Sequence, residues 1–130
     1  MPTIDAVAHL MLTVTDPERS ADFYNRVLGT NTVMSTVDDM GAVTIVATPT
    51  LTIGLRQHRS TAAQDAFDPT RIGMDHVALQ VPSRGDLEVW RDSLEAQDVT
   101  YSEIVETPFG LHLNLKDPDN IAVELFVAAG

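Results

Sequence analysis

Two histidines and one glutamate carry the sharpest chemical signal in this chain. His9 and His76 stand 67 residues apart in matching contexts, Ala8-His9-Leu10-Met11-Leu12-Thr13-Val14 and Asp75-His76-Val77-Ala78-Leu79-Gln80-Val81. Both stretches alternate as half-buried strands do: Leu10, Leu12 and Val14 share one face of the first, and Val77, Leu79 and Val81 share one face of the second. Each histidine falls on the opposite face. Glu124 interrupts the apolar run Ile121-Ala122-Val123-Glu124-Leu125, and an ionised carboxylate in such a strand is costly unless it is paired or metal-bound. Two imidazoles and a carboxylate meeting in one concavity suit a divalent transition metal, with positions left open for substrate and for oxygen or water. The expected metal ligands are therefore His9, His76 and Glu124. The expected cofactor is one divalent ion per site, drawn from Fe, Mn, Zn or Ni.

Three other polar residues belong to the same reading. Aligning Leu51-Thr52-Ile53-Gly54-Leu55 with Ile121-Ala122-Val123-Glu124-Leu125 sets Gly54 opposite Glu124, so the first half offers no matching carboxylate. Arg56 shares the face of Gly54 and is a candidate contact for an anionic substrate, or an exposed strand-end arginine. His112 and Asn114 alternate with Leu111, Leu113 and Leu115 in the strand before that of Glu124. Turn length sets the pairing parity, and parity decides whether they face the same cavity. In that case His112 is a catalytic acid-base or supporting group and Asn114 a substrate contact; otherwise both are rim residues. His58 is assigned no role, and Phe23, Tyr24 and Trp90 sit at helical spacing as core.

The elements that must position these residues occur twice. Thr15-Asp16-Pro17-Glu18 reads as a helix start, with a capping acid and a proline in the first turn; Phe23, Tyr24, Val27 and Leu28 supply an apolar stripe, and Gly29 ends it. Three strand-like runs follow, Thr32 to Val37, Ala42 to Thr48 and Thr50 to Arg56. Gln57 to Gly73 lapses into a polar linker. Then the order resumes: a strand at His76, a helix capped by Ser83 or Asp86 with Leu87, Trp90 and Leu94 inward, and strands over Thr100 to Glu106, Leu111 to Lys116 and Ile121 to Val127. The expected fold is α+β, a single domain over residues 1–130. It comprises two tandem βαβββ modules, residues 4–56 and 74–128, joined by a linker over 57–73. They are expected to form a curved, cup-shaped mixed sheet with the helices on its convex side.

Composition narrows the functional field. The 130 residues include no cysteine, which excludes disulfides, thiolate metal sites and cysteine nucleophiles. A net charge of −11 argues against nucleic-acid binding, which needs cations aligned on phosphates. No apolar run approaches the roughly 18 residues of a membrane span. The N-terminus carries no basic region of the secretory type, so a cytoplasmic location is expected.

The duplicated order, together with Phe23-Tyr24-Asn25-Arg26-Val27-Leu28-Gly29, Asp75-His76-Val77-Ala78-Leu79 and Lys116-Asp117-Pro118-Asp119-Asn120-Ile121-Ala122-Val123-Glu124-Leu125, resembles the vicinal oxygen chelate superfamily. That group includes glyoxalase I, extradiol dioxygenases, fosfomycin-resistance enzymes, methylmalonyl-CoA epimerase and bleomycin-resistance proteins. By this resemblance His9, His76 and Glu124 match three of the four family ligand positions. Gly54 does not match the fourth, which in glyoxalase I and the epimerase is Glu or Gln. The resemblance implies a metal-dependent enzyme acting on a small oxygen-chelating substrate, with extradiol-dioxygenase chemistry favoured over isomerisation. An isomerase would need a replacement base, for which only His112 or Glu106 can be nominated. The alternative is a non-catalytic protein of the bleomycin-resistance type that sequesters a small, cationic, partly aromatic molecule. Paired chains are also implied, hence a homodimer with a small-molecule ligand and neither nucleic acid nor membrane as partner.

Overall fold

The first helix forms where the caps place it. In the computed structural model, which describes residues 1–130, Asp16 Oδ1 accepts the backbone N–H groups of Glu18 and Arg19 at 3.1 and 3.2 Å. These are two of the donors that a helix start leaves orphaned. Pro17 opens α1 (Pro17–Leu28), and Gly29 at φ +75° closes it in the left-handed region. The buried stripe is Phe23, Tyr24 and Val27, with the Phe23 and Tyr24 rings packed edge to face at 5.3 Å. Each such fully buried side chain contributes about 1.5–3 kcal/mol.

The chain divides into two units, Met1–Asp65 and Ala66–Gly130, and the boundary falls inside the expected linker. In the first unit β1 (Leu10–Thr13), α1, β2 (Asn31–Asp38), β3 (Gly41–Ala47) and β4 (Thr52–His58) follow the βαβββ order. They build a four-stranded sheet in the order β1-β4-β3-β2, with β1 parallel to β4 and the other pairs antiparallel. The second unit repeats this with β5 (Val77–Gln80), α2 (Arg84–Ala96), β6 (Val105–Thr107), β7 (Gly110–Lys116) and β8 (Ala122–Ala128), in the order β5-β8-β7-β6. Ser83, not Asp86, caps α2: its Oγ accepts the Asp86 N–H at 3.2 Å. Each helix packs on its own sheet. The apolar faces beneath carry Leu12, Val46, Ile53 and Leu55 in one unit and Leu113, Leu115, Val123 and Leu125 in the other, all buried.

Several boundaries move. Strands β1 and β5 begin at Leu10 and Val77, so His9 and His76 each stand one residue before their strand. Strand β4 runs on to His58 and absorbs the first two linker residues. The strand expected from Thr100 shrinks to three residues, because Asp98 turns at φ +56° and the chain beyond it meets β7 only through an isolated bridge of Tyr101 to Leu115. Trp90 is half-buried, whereas Leu87 and Leu94 are fully enclosed. All eight residues of β2 are exposed, and a bulge near Val33 breaks its register with β3. No helix is long and apolar enough to cross a membrane.

Register makes the two units comparable position by position. One row of the first sheet runs Met11, Gly54, Ile45, Met34, and its counterpart in the second runs Ala78, Glu124, Asn114. The next rows are Thr13, Arg56, Val43, Thr36 and Gln80, Phe126, His112, Val105. A last pair sets Asp38 opposite Gly41 and Thr107 opposite Gly110.

Candidate functional site

Glu124 is 5% exposed, on the face of β8 turned away from Val123 and Leu125. Its burial is met by two imidazoles. Oε2 lies 2.9 Å from His76 Nε2, and Oε1 is in contact with His112 Nδ1. Beyond them the contacts continue: His76 Nδ1 is 2.6 Å from Asp75 Oδ1, and His112 Nε2 is 2.6 Å from Thr107 Oγ1. The Phe126 ring packs against His112 with centroids 5.1 Å apart. The result is a line of five polar side chains, Asp75, His76, Glu124, His112 and Thr107, laid across one sheet.

The register resolves the parity that decides the role of His112 and Asn114. His112 pairs with Phe126 and Asn114 with Glu124, so both side chains share the face of Glu124. Asn114 is exposed, and its Nδ2 reaches Ser102 Oγ at 3.4 Å. Glu106 has the opposite parity: it pairs with Leu111, is largely exposed, and its carboxylate lies 4.0 Å from Arg84. It is thereby removed from the face where a base would act.

The first unit presents a different face at the matching positions. A Cβ on Gly54 would overlap the Sδ of Met11 and approach its Cε, so the thioether occupies the space that a side chain at position 54 would need. The absent carboxylate leaves no gap, because Met11 fills it. Arg56 is engaged within its own sheet: Nη1 and Nη2 donate to the two carboxylate oxygens of Asp38 at 2.7 and 3.0 Å. That bidentate bond is the main reason the Asp38 carboxyl is held down at about 2, below its ordinary 3.8. An anionic ligand at Arg56 must share or displace this partner. His9, directly before β1, is exposed.

The donor atoms of the second unit fit a divalent ion in part. Two ligands about 2.1 Å from one metal and at right angles to each other lie about 3.0 Å apart, and His76 Nε2 and Glu124 Oε2 are 2.9 Å apart. Asp75 on the far nitrogen of His76 is the carboxylate partner that metal-ligating imidazoles commonly have, and His112 plays that part for Glu124. No group of three or more His, Asp or Glu residues is already arranged as a metal cage. Asp75 and Thr107 escaped the sequence reading. Adjacency of Asp75 to His76 was the available signal for the first, and nothing local signalled the second.

Comparison with known proteins places this architecture. Residues 6–125 match the model of the Glyoxalase/Bleomycin resistance protein/Dioxygenase superfamily. A comparison with curated protein sequences finds no match. Among solved structures, a glyoxylase/bleomycin resistance protein/dioxygenase domain from Frankia sp. EAN1pec is 32% identical, with 98% of this chain and 94% of that one covered at a TM-score of 0.89. The fosfomycin resistance protein FosX of Listeria monocytogenes is 18% identical, with 98% and 96% covered at a TM-score of 0.73. Lactoylglutathione lyase from Agrobacterium tumefaciens is 17% identical, with 96% of each chain covered at a TM-score of 0.73. The last two are likenesses of fold. With its duplicated βαβββ order and a family match over nearly its whole length, the chain belongs to the Glyoxalase/Bleomycin resistance protein/Dioxygenase superfamily.

Proposed function

We propose that this protein is a divalent-metal-dependent enzyme acting on a small substrate with two neighbouring oxygens, with extradiol-dioxygenase-type chemistry ahead of isomerisation. The observation that carries the reading is the buried Glu124 carboxylate, with one oxygen 2.9 Å from His76 Nε2, as two ligands of one ion would be spaced. His76 and Glu124 would hold the ion. When bound, it supplies Lewis-acid polarisation of two substrate oxygens. Fe, Mn, Zn and Ni all suit such a donor set, and FosX has been crystallised with Mn(II).

The remaining side chains divide the work of binding and orientation. His112 fixes one oxygen of Glu124, Phe126 lends an apolar wall beside it, and the Asn114 amide stands in the same row as a hydrogen-bonding contact for substrate. Isomerisation requires a base on this face. Glu106 has the wrong parity, so in this sheet His112 is left, already committed to Glu124. This shortage of a base favours the oxygenase reading.

The test is the metal content of protein purified without chelators, set beside His76→Ala and Glu124→Ala. Near-stoichiometric metal in the wild type, falling at least about 10-fold in each variant, is expected. Metal-free wild-type protein after growth in metal-replete medium overturns the enzyme reading. A second reading, sequestration of a cationic drug-like molecule, is favoured by one observation: Met11 lies over Gly54 in a row with Ile45 and Met34, which gives the first sheet an apolar lining. Tight binding of a basic glycopeptide by chelator-treated protein supports that reading, and absence of binding removes it. Either activity is proposed for a cytoplasmic homodimer with two equivalent sites, checked by sedimentation equilibrium.

A further inference from the structure

Thr107 ends β6 and begins the turn Thr107-Pro108-Phe109-Gly110. Its hydroxyl oxygen accepts the Phe109 backbone N–H at 3.2 Å, which closes the turn and occupies one lone pair. The same oxygen lies 2.6 Å from His112 Nε2. At the other end of the ring, Nδ1 meets Glu124 Oε1, and a carboxylate can only accept. A neutral imidazole has one N–H. Glu124 requires it on Nδ1, which makes Nε2 an acceptor, and Thr107 is the group beside Nε2 with a hydroxyl proton to donate. For the neutral ring, both ends therefore agree on one tautomer.

We infer that Thr107 is a positioning residue: its turn-held hydroxyl donates to His112 Nε2, fixes His112 as the Nδ1–H tautomer, and so ties Glu124 by Oε1 while leaving Oε2 turned to His76. The first unit contains an independent instance of the device. Asp38 stands at the register position of Thr107, opposite Gly41 as Thr107 stands opposite Gly110. Its Oδ1 accepts the turn N–H groups of Met40 and Gly41 at 2.9 and 3.2 Å, and the same carboxylate grips Arg56. In both units an oxygen-bearing side chain at the mouth of a hairpin closes the turn and holds a functional side chain on the sheet face.

For the neutral ring the tautomer follows from these contacts, while its effect on metal affinity rests on the metal-centre reading, so the two are measured separately. Long-range ¹H–¹⁵N correlation spectra of the imidazoles, recorded on chelator-treated full-length protein in mildly alkaline buffer, should show His112 as a single Nδ1–H form. Thr107→Val, which keeps the shape and loses the hydroxyl, should give a mixture of tautomers, and Thr107→Ser should restore the single form. Thr107→Val should also weaken Mn²⁺ or Zn²⁺ binding by about 10-fold, the low end of what loss of a ligand's supporting partner costs, with recovery in Thr107→Ser. Wild-type His112 found as the Nε2–H form or as imidazolium overturns the inference, and this arm needs no variant to fold. A Thr107→Val spectrum identical to wild type overturns it equally. Wild-type protein that binds neither metal defeats the metal-centre reading and leaves the spectra to decide the tautomer.

Discussion

The two sheets share a frame and differ in what they put on it. Leu55 and Leu125 occupy matching buried positions under the helices, and Gly41 and Gly110 matching turns, yet the opposite faces diverge at every row. Where the first sheet pairs a large Met11 with Gly54, the second pairs a small Ala78 with Glu124, an exchange of bulk across one strand pair. Where the first sets Val43 beside Arg56, the second sets His112 beside Phe126. Backbone pairing and the core need only period-two alternation and volume, so they tolerate divergence of the outward set. The repeat supplies two equivalent scaffolds, of which one carries a line of hydrogen-bonded polar side chains and the other an apolar row beside an ion pair.

If the frame is common, Leu55→Ala and Leu125→Ala should each cost about 2–5 kcal/mol in urea denaturation, and clearly unequal costs would show that one unit's core dominates. Next come the turns. Gly41 and Gly110, at φ +136° and +150°, each leave a Cβ no room beside the carbonyl of Gln57 or Val127. Alanine at either should cost about 1–3 kcal/mol, and a tolerated Gly110→Ala would undo the equivalence of the hairpins.

A smaller effect separates the faces by pH. Asp38, held at about 2 against an ordinary 3.8, has its folded-state value depressed. Its contribution to stability is therefore complete above the unfolded value and is lost as pH falls from about 4 towards 2. The carboxyl ¹³C titration of Asp38 should follow that shift and return to the ordinary range in Arg56→Ala. The smallest effect is expected at Gly54→Ala. Only the flexible end of Met11 stands in the way, so the cost should stay below about 1 kcal/mol, and Met11→Ala should reduce it further.

Much of the frame was legible because period-two and helical spacing, caps and turn residues are local signals. Asp16, Pro17 and Gly29 announced α1, and the alternation around His112 announced β7. The pairing of His76 with Glu124 was legible because a carboxylate in an apolar strand demands a partner. Illegible were the contacts set by register across strands. Whether His112 faces Glu124 depends on turn geometry, the engagement of Arg56 with Asp38 spans 18 positions of sequence, and the filling of Gly54 by Met11 spans a parallel strand pair. Burial of Trp90 was overestimated because an apolar stripe on a helix says which side faces inward, and not how far its edge is covered.

The outer strands bear on how the protein behaves when concentrated. β2 offers a run of exposed backbone and side chains, including Val33 and Val37, and such an edge invites another strand to add to it. Its bulge interrupts the flat edge that stacking requires, while in the second sheet the corresponding outer strand is only three residues long. A net charge of −11 keeps neighbouring molecules apart while the screening length is long. At 1 M salt that length contracts to about 3 Å. Colloidal stability thus rests on long-range repulsion at low ionic strength, and on the bulge and the short strand once salt has removed it.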